Sequence, residues 1–484
     1  MHAVATSTEP GHVVREVEVH RRSLARLEPL IGEERYTELL EAADRASLEM
    51  RGRTFWNLSS TSAGGGVAEM LQVLIGYSLD AELDVRWLVI AGDPEFFGIT
   101  KRIHNRLHGA EGAPGPLGPD EAAHYAAVTS ANAASALGRI RAGDVVLLHD
   151  PQTAGMAAAL RQAGARVVWR CHVGRDTSNA WTDEAWSFLA PFLADCEAYI
   201  FSLRSYVPAF LEASPVHVIP PSIDPFSPKN EELSPAAVAA ILDAIGVVPG
   251  GGRASDASFH RLDGTPGVVG RRATLVFEGD PIGPADRLVV QVSRWDRLKD
   301  MAGVMAGFVE RVGQPEARLA LVGPATAEVS DDPEGHEVYL ECVGAWEALA
   351  PAERRRVTLV TLPMDDLEEN AAMVNAIQRQ ATVVVQKSLF EGFGLTVAEA
   401  MWKARTVVAS KVGGITEQVA PGTGVLLDDP SDLTAFGDAV SGLLADPART
   451  DELGRRARQH VLDGFVGDRH LVRYAGLLES LSLA

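Results

Sequence analysis
The chain is short of cysteine, of long apolar runs and of positive charge. Its three cysteines, Cys171, Cys196 and Cys342, are odd in number, widely spaced and form no C-x-x-C pair. That pattern provides neither a disulfide framework nor a cysteine zinc site, and it suits a reducing compartment. No apolar run reaches the roughly 20 residues that span a bilayer. The opening "MHAVATSTEPGHVV" lacks the apolar core of a secretory signal. Lys and Arg number 44 against 65 Asp and Glu, a formal net charge of -21. Nucleic acid and anionic membrane surfaces would be repelled, although a local basic pocket for a small anion remains compatible. No acidic cluster suggests a metal site, and no repeat at solenoid periods is visible. On these absences a soluble, cytoplasmic chain with no nucleic-acid or membrane partner is expected, and a homodimer is left open.

What is present is an alternation of strands and helices. At 484 residues the chain exceeds one ordinary core, so two domains are expected. Residues 1–12 read as frayed, and 13–50 read as helical with one charged face. From residue 54 the strand-like runs "TFWNL", "VRWLVI", "DVVLLH", "RVVWRC" and "AYIFS" alternate with helical stretches. The rhythm restarts near residue 288 with "LVVQVS", "RLALVG", "VTLVT", "TVVVQ" and "TVVAS". Each half therefore reads as a parallel sheet covered on both faces. The expected domains are 1–225 and 287–464. The stretch 226–286 joins them, and a helix over 465–484 has the option of packing back on the first. Within the joining stretch, 249–285 is rich in Gly, Pro and Arg and reads as a linker, with a functional flap as the alternative.

Open α/β sheets bind ligands beyond the carboxyl ends of their strands, so the motifs just after strands matter most. "STSAGGGVAEM" places Gly64, Gly65 and Gly66 between a strand and a helix, where bare backbone and a helix start favour an anion. It has neither G-x-G-x-x-G nor G-K-[ST] spacing, and a plain turn is the competing reading. "QVSRWDRLKD" sets Arg294 and Lys299 after a strand, a fork and a point charge suited to a diphosphate or simply two solvated cations. "SLFEGFGLTVAEAMWKA" is the richest stretch. Glu391 and Glu399 flank Gly392, Phe393, Gly394 and Leu395, so carboxylates for vicinal diols bracket bare backbone amides; turn and helix-dipole roles are the alternative. His172 in "VVWRCHVGRD", Asp150 and Gln152 in "LLHDPQT", and Gly413 and Gly414 in "KVGGITEQV" also lie at strand ends.

Together these residues resemble the retaining nucleotide-sugar glycosyltransferases of the GT-B fold, an α/β architecture of two Rossmann-like domains facing across a cleft. That family pairs a first-domain glycine loop with a second-domain Arg…Lys pair and two glutamates separated by seven residues. The longer strings "WLVIAGDPEFFGITKRIHNRLHG", "LLHDPQ", "WRCHV", "PPSIDPFSPKN", "DDPEG" and "EGFGLTVAEAMWK" are similar to the trehalose glycosyltransferring synthases, whose close relatives are retaining trehalose phosphorylases. The resemblance implies transfer of glucose from a nucleoside-diphosphate glucose to glucose or a related sugar. It implies that Arg294 and Lys299 hold the diphosphate and that Gly65, Gly66 and the amides of Gly392, Phe393, Gly394 and Leu395 face the donor. Glu391 would lie near the sugar hydroxyls and Glu399 near the ribose. His172 would face the donor sugar, and Asp150 and Gln152 the acceptor. No cofactor and no metal are expected, because the Arg/Lys pair supplies the charge a divalent ion would. The long 249–285 stretch departs from this subgroup and puts the hinge and the acceptor in question. A phosphorylase, and a catalytically silent sugar-nucleotide sensor, are the alternative readings.

Overall fold
The computed structural model describes residues 14–62, 66–112, 114–250, 252–253, 256–326 and 333–482. It divides into two compact units, Met1–Pro220 with Asp468–Ala484, and Pro221–Gly467.

Among the described residues the first unit's sheet has seven strands: β1 (Arg15–Val17), β2 (Phe55–Ser59), β3 (Val85–Val89), β4 (Val145–His149), β5 (Arg166–Cys171), β6 (Ala198–Phe201) and β7 (Val216–Val218). Their order is β1-β3-β2-β4-β5-β6-β7, parallel except for β1. The apolar, β-branched runs suit burial on both faces. Trp56, Leu58, Leu148 and Trp169 pack on one face. On the other, Phe55, Trp87 and Leu147 meet Leu477, Leu478 and Leu481 of the C-terminal helix Gly467–Ser482. The strand order reverses between β2 and β4, which makes that gap the sheet's switch point.

The helical reading of 13–50 fails at its start. Arg15–Val17 pairs antiparallel with β3, a single 3-10 turn follows at Leu24–Arg26, and α-helix begins only at Glu28–Ile31 and Glu33–Glu49. The Val-x-x-Val-x-Val spacing at 14–19 serves a short edge strand, with Val14 buried and Arg15 and Glu16 exposed. Residues 1–12, read as frayed, lie outside the described residues.

The second unit repeats the plan. The described stretch holds a hairpin of β8 (Ser258–His260) and β9 (Pro266–Val268), then β10 (Thr274–Val276), β11 (Arg287–Val292), β12 (Ala317–Pro324), β13 (Val357–Leu362), β14 (Val383–Gln386), β15 (Thr406–Ser410) and β16 (Val425–Leu427). The larger sheet runs β10-β13-β12-β11-β14-β15-β16, with β10 antiparallel at its edge and the switch point between β11 and β14. The 249–285 linker reading is thereby corrected. Its β10 completes this sheet, and its hairpin is tied to the helix Leu367–Gln380. Arg261 pairs with Asp366 at 2.7 Å and Glu368 at 3.1 Å, and Arg271 pairs with Glu369. Arg261 and Arg271 thus make ion pairs, which composition alone does not reveal.

Candidate active site
The two loops at the second unit's switch point carry the residues expected to hold an anion. Lys299 ends a single turn after β11, and its Nζ donates to Glu391 Oε2 at 2.6 Å. Both side chains are largely buried, at 16% and 11% exposure. Ser388 Oγ also donates to that carboxylate, at 3.2 Å. Arg294 is more open and lies 3.3 Å from Asp296. Gly394 takes a left-handed φ of 80° to start the helix Leu395–Trp402. Gly414 N donates to Gly392 O at 3.0 Å, and a Cβ there would come within 2.6 Å of Phe393 Cα, so this close approach requires glycine. The 413–414 loop thus braces the glycine turn, with Phe393 buried beneath.

Glu399 lies in that helix and is buried. Its Oε1 is 3.7 Å from Lys229 Nζ, while its Oε2 has no hydrogen-bond partner among the described residues. Buried polar atoms are nearly always bonded, so an orphaned carboxylate oxygen here is suited to a ligand hydroxyl. Lys403, one turn on, donates to Glu399 O and to Asn230 Oδ1, each at 3.0 Å. Burial pulls the Lys403 amine down to about 7, against the raising effect of Glu399.

Sequence reasoning missed the support under Lys299. Lys387, fully buried after β14, pairs with Asp300, whose backbone is left-handed at φ 49°. Gln291 Nε2 donates to Lys299 O at 2.7 Å, and Leu389 N donates to Leu298 O at 2.7 Å. The turn carrying Lys299 is therefore hung from the end of β14. Two glutamines in otherwise apolar runs, Gln291 and Gln386, and a lysine directly after the second run were the available signal.

The first unit's edge is built differently. Asp150 follows β4 with a left-handed φ of 63°, and its Oδ1 accepts from His172 N at 2.7 Å. Burial pushes its carboxyl up to about 7, partly offset by that N–H and by the Arg170 charge. His149, which sequence reasoning passed over, bonds His172 through Nδ1 at 3.0 Å and Asn57 through Nε2 at 3.1 Å. Burial holds both imidazoles well below their usual range, and Arg170 adds to it. Arg170 is itself buried on β5, bonded to His470, Tyr474 and Ile219 O. Gln152 Oε1 is buried without a hydrogen-bond partner among the described residues. Gly66 opens the helix Gly66–Asp80, whereas Gly64 and Gly65 lie outside the described residues. In this unit Asp150 and His172 are in contact; in the other, Lys299 and Glu391 are.

Two parallel-sheet units of this kind, with polar residues at the strand ends, are the architecture of the GT-B fold. Among solved structures, the α,α-trehalose 6-phosphate synthase of Burkholderia multivorans superposes with a TM-score of 0.62 at 13% identity, covering 89% of this chain and 97% of that one. Residues 57–208 match the family described as "Trehalose synthase, N-terminal domain", and 367–460 match "Glycosyl transferases group 1". The trehalose synthase of Rubrobacter xylanophilus is 35% identical across 96% of this chain and 95% of its own length. That of Pyrococcus horikoshii is 33% identical across 97% and 99%. The chain belongs to the trehalose synthase family of glycosyltransferases. A more distant match is the trehalose phosphorylase of Pleurotus pulmonarius, 24% identical over 87% of this chain and 56% of that one.

Proposed function
We propose that the protein transfers glucose from a nucleoside-diphosphate glucose to the anomeric hydroxyl of glucose or a related sugar, forming α,α-trehalose or a trehalose-like 1,1-linked product with retention. The orphaned Oε2 of buried Glu399 carries this reading. It stands at the end of a sheet whose other loop bears Arg294 and Lys299, the arrangement a ribosyl diphosphate needs. A phosphorylase, which the distant relatives favour, would have no ribose to give that carboxylate.

Retention is achieved either by double displacement or by attack on the face the diphosphate leaves. Double displacement needs a carboxylate under the anomeric carbon. Glu391, the nearest option in sequence, is engaged by Lys299 at 2.6 Å, which favours the same-face route. There the bond from the anomeric carbon to the diphosphate oxygen breaks, with its electron pair going to the diphosphate. The acceptor oxygen bonds the same carbon, and its proton passes to the departing phosphate oxygen. Arg294 and Lys299 stabilise the charge that develops, His172 holds the sugar, and Asp150 and Gln152 serve the acceptor. The two cations fill the role of a divalent ion, so activity is expected to survive a chelator.

A screen of nucleotide-glucose donors against sugar acceptors, with product chromatography and proton NMR, tests this. An α,α linkage is expected. A β linkage at the donor carbon would sink retention, and turnover only with glucose 1-phosphate or phosphate would establish the phosphorylase.

A further inference from the structure
Three polar side chains form a line at the first sheet's switch point. Asn57 projects from β2, His149 from the neighbouring β4, and His172 follows β5, which pairs with β4. The rings of His149 and His172 are stacked 5.3 Å apart and 14° from parallel. Asn57 and His149 are 3% and 1% exposed, so water does not compete for their bonds.

The line dictates where the protons sit. Asn57 Oδ1 faces His149 Nε2, and an amide oxygen only accepts, so that nitrogen carries the proton. A neutral imidazole carries one N–H, which leaves His149 Nδ1 as an acceptor. Its partner, His172 Nε2, must then donate, and His172 Nδ1 is left unprotonated. Among the described residues none is hydrogen-bonded to that Nδ1. The depressed basicity of both buried rings agrees with neutrality throughout.

We propose that Asn57 and His149 are positioning residues that fix His172 as its Nε2–H tautomer, so that Nδ1 accepts a hydrogen bond from a sugar hydroxyl. The last clause rests on the reading that this edge holds a hexose; the tautomer itself does not. A ring free to exchange tautomers would present a donor for part of the time and lose that contact.

The test begins on the unaltered full-length chain. Long-range proton–nitrogen NMR of 15N-labelled histidines distinguishes protonated from bare ring nitrogens, with signals assigned by their loss in His172→Phe and His149→Phe. Nε2–H on both rings is expected, and Nδ1–H on both would overturn the proposal without any variant having to fold. In Asn57→Leu both rings should show mixed tautomers, and turnover of nucleotide-glucose with glucose should fall about tenfold, the worth of one hydrogen bond. Unchanged tautomers with lowered turnover would make Asn57 a packing residue and end the relay. Mixed tautomers with unchanged turnover would end the sugar contact. If no sugar donor is used by the unaltered chain, the transfer reading fails while the spectrum still decides the relay.

Discussion
The switch points of the two sheets are built on opposite electrostatic plans. In the first unit His149 and His172 are held neutral, Asp150 is pushed toward neutrality, and the Arg170 cation is capped by His470 and Tyr474. In the second, Lys299 meets Glu391, Lys387 meets Asp300, and Arg294 stands open beside Asp296. Taking a charge out of water costs several kcal/mol unless it is paired. A protein retains paired cations at a site where an anion must be met, and a neutral hydrogen-bonding edge suffices for hydroxyls. The contrast supports a nucleotide diphosphate at the second sheet and uncharged sugar at the first.

The comparison breaks most visibly if the second unit's cations prove dispensable. Arg294→Ala and Lys299→Ala should each lower turnover by about a hundredfold or more, because on the proposed reading both meet charge that grows in the transition state. Steady-state rates with a nucleotide-glucose donor measure this, and near-wild-type turnover in both would remove them from the donor site.

Stability separates the members of the Lys387–Asp300 pair. The ammonium is 1% exposed and the carboxylate 22%. Removing the carboxylate strands a charge in the interior, so Asp300→Ala should cost about 3–5 kcal/mol in urea denaturation. Lys387→Met leaves a charge that reaches water and should cost less. Equal costs would show that the pair is more solvated than its burial implies.

These contacts mark the limit of what the sequence shows. The strand runs were legible because parallel strands buried on both faces are continuously apolar, and the motifs stood out because they follow those runs. Lys387 sits next to such a run and pairs with a residue on a different strand's loop, a meeting that no local pattern encodes. His149 was hidden in the same way: its partner Asn57 is on a strand adjacent in space and distant in the chain. The Arg15–Val17 strand was lost to the helix-rich composition around it. The hairpin at 258–268 was obscured by Gly and Pro, although Arg261 and Arg271 anchor it to Asp366, Glu368 and Glu369.

A finer probe of the second sheet is Glu399. With a ribose on its free oxygen, Glu399→Gln should raise the donor KM roughly tenfold while turnover falls less, because that contact is much the same in ground and transition states. An unchanged donor KM would remove the ribose from this carboxylate and turn attention to the phosphorylase reading.

The last comparison follows one group from each unit as the pH is varied. Asp150 is raised to about 7 and Lys403 lowered to about 7, each driven by burial toward its neutral form. Their contributions to stability have opposite signs. Between about pH 4 and 7 the folded chain holds a proton on Asp150 that the unfolded chain has released, so stability falls as pH rises through that window. Between about pH 7 and 10 the unfolded chain holds a proton on Lys403 that the folded chain lacks, so stability rises with pH there. Each slope is at most about 1.4 kcal/mol per pH unit. Denaturation midpoints across this range should show Asp150→Asn flattening the acid limb and Lys403→Met the alkaline limb. If Asp150→Asn altered the alkaline limb instead, burial would not be what governs that carboxyl, and the neutral character assigned to the first sheet's edge would fail.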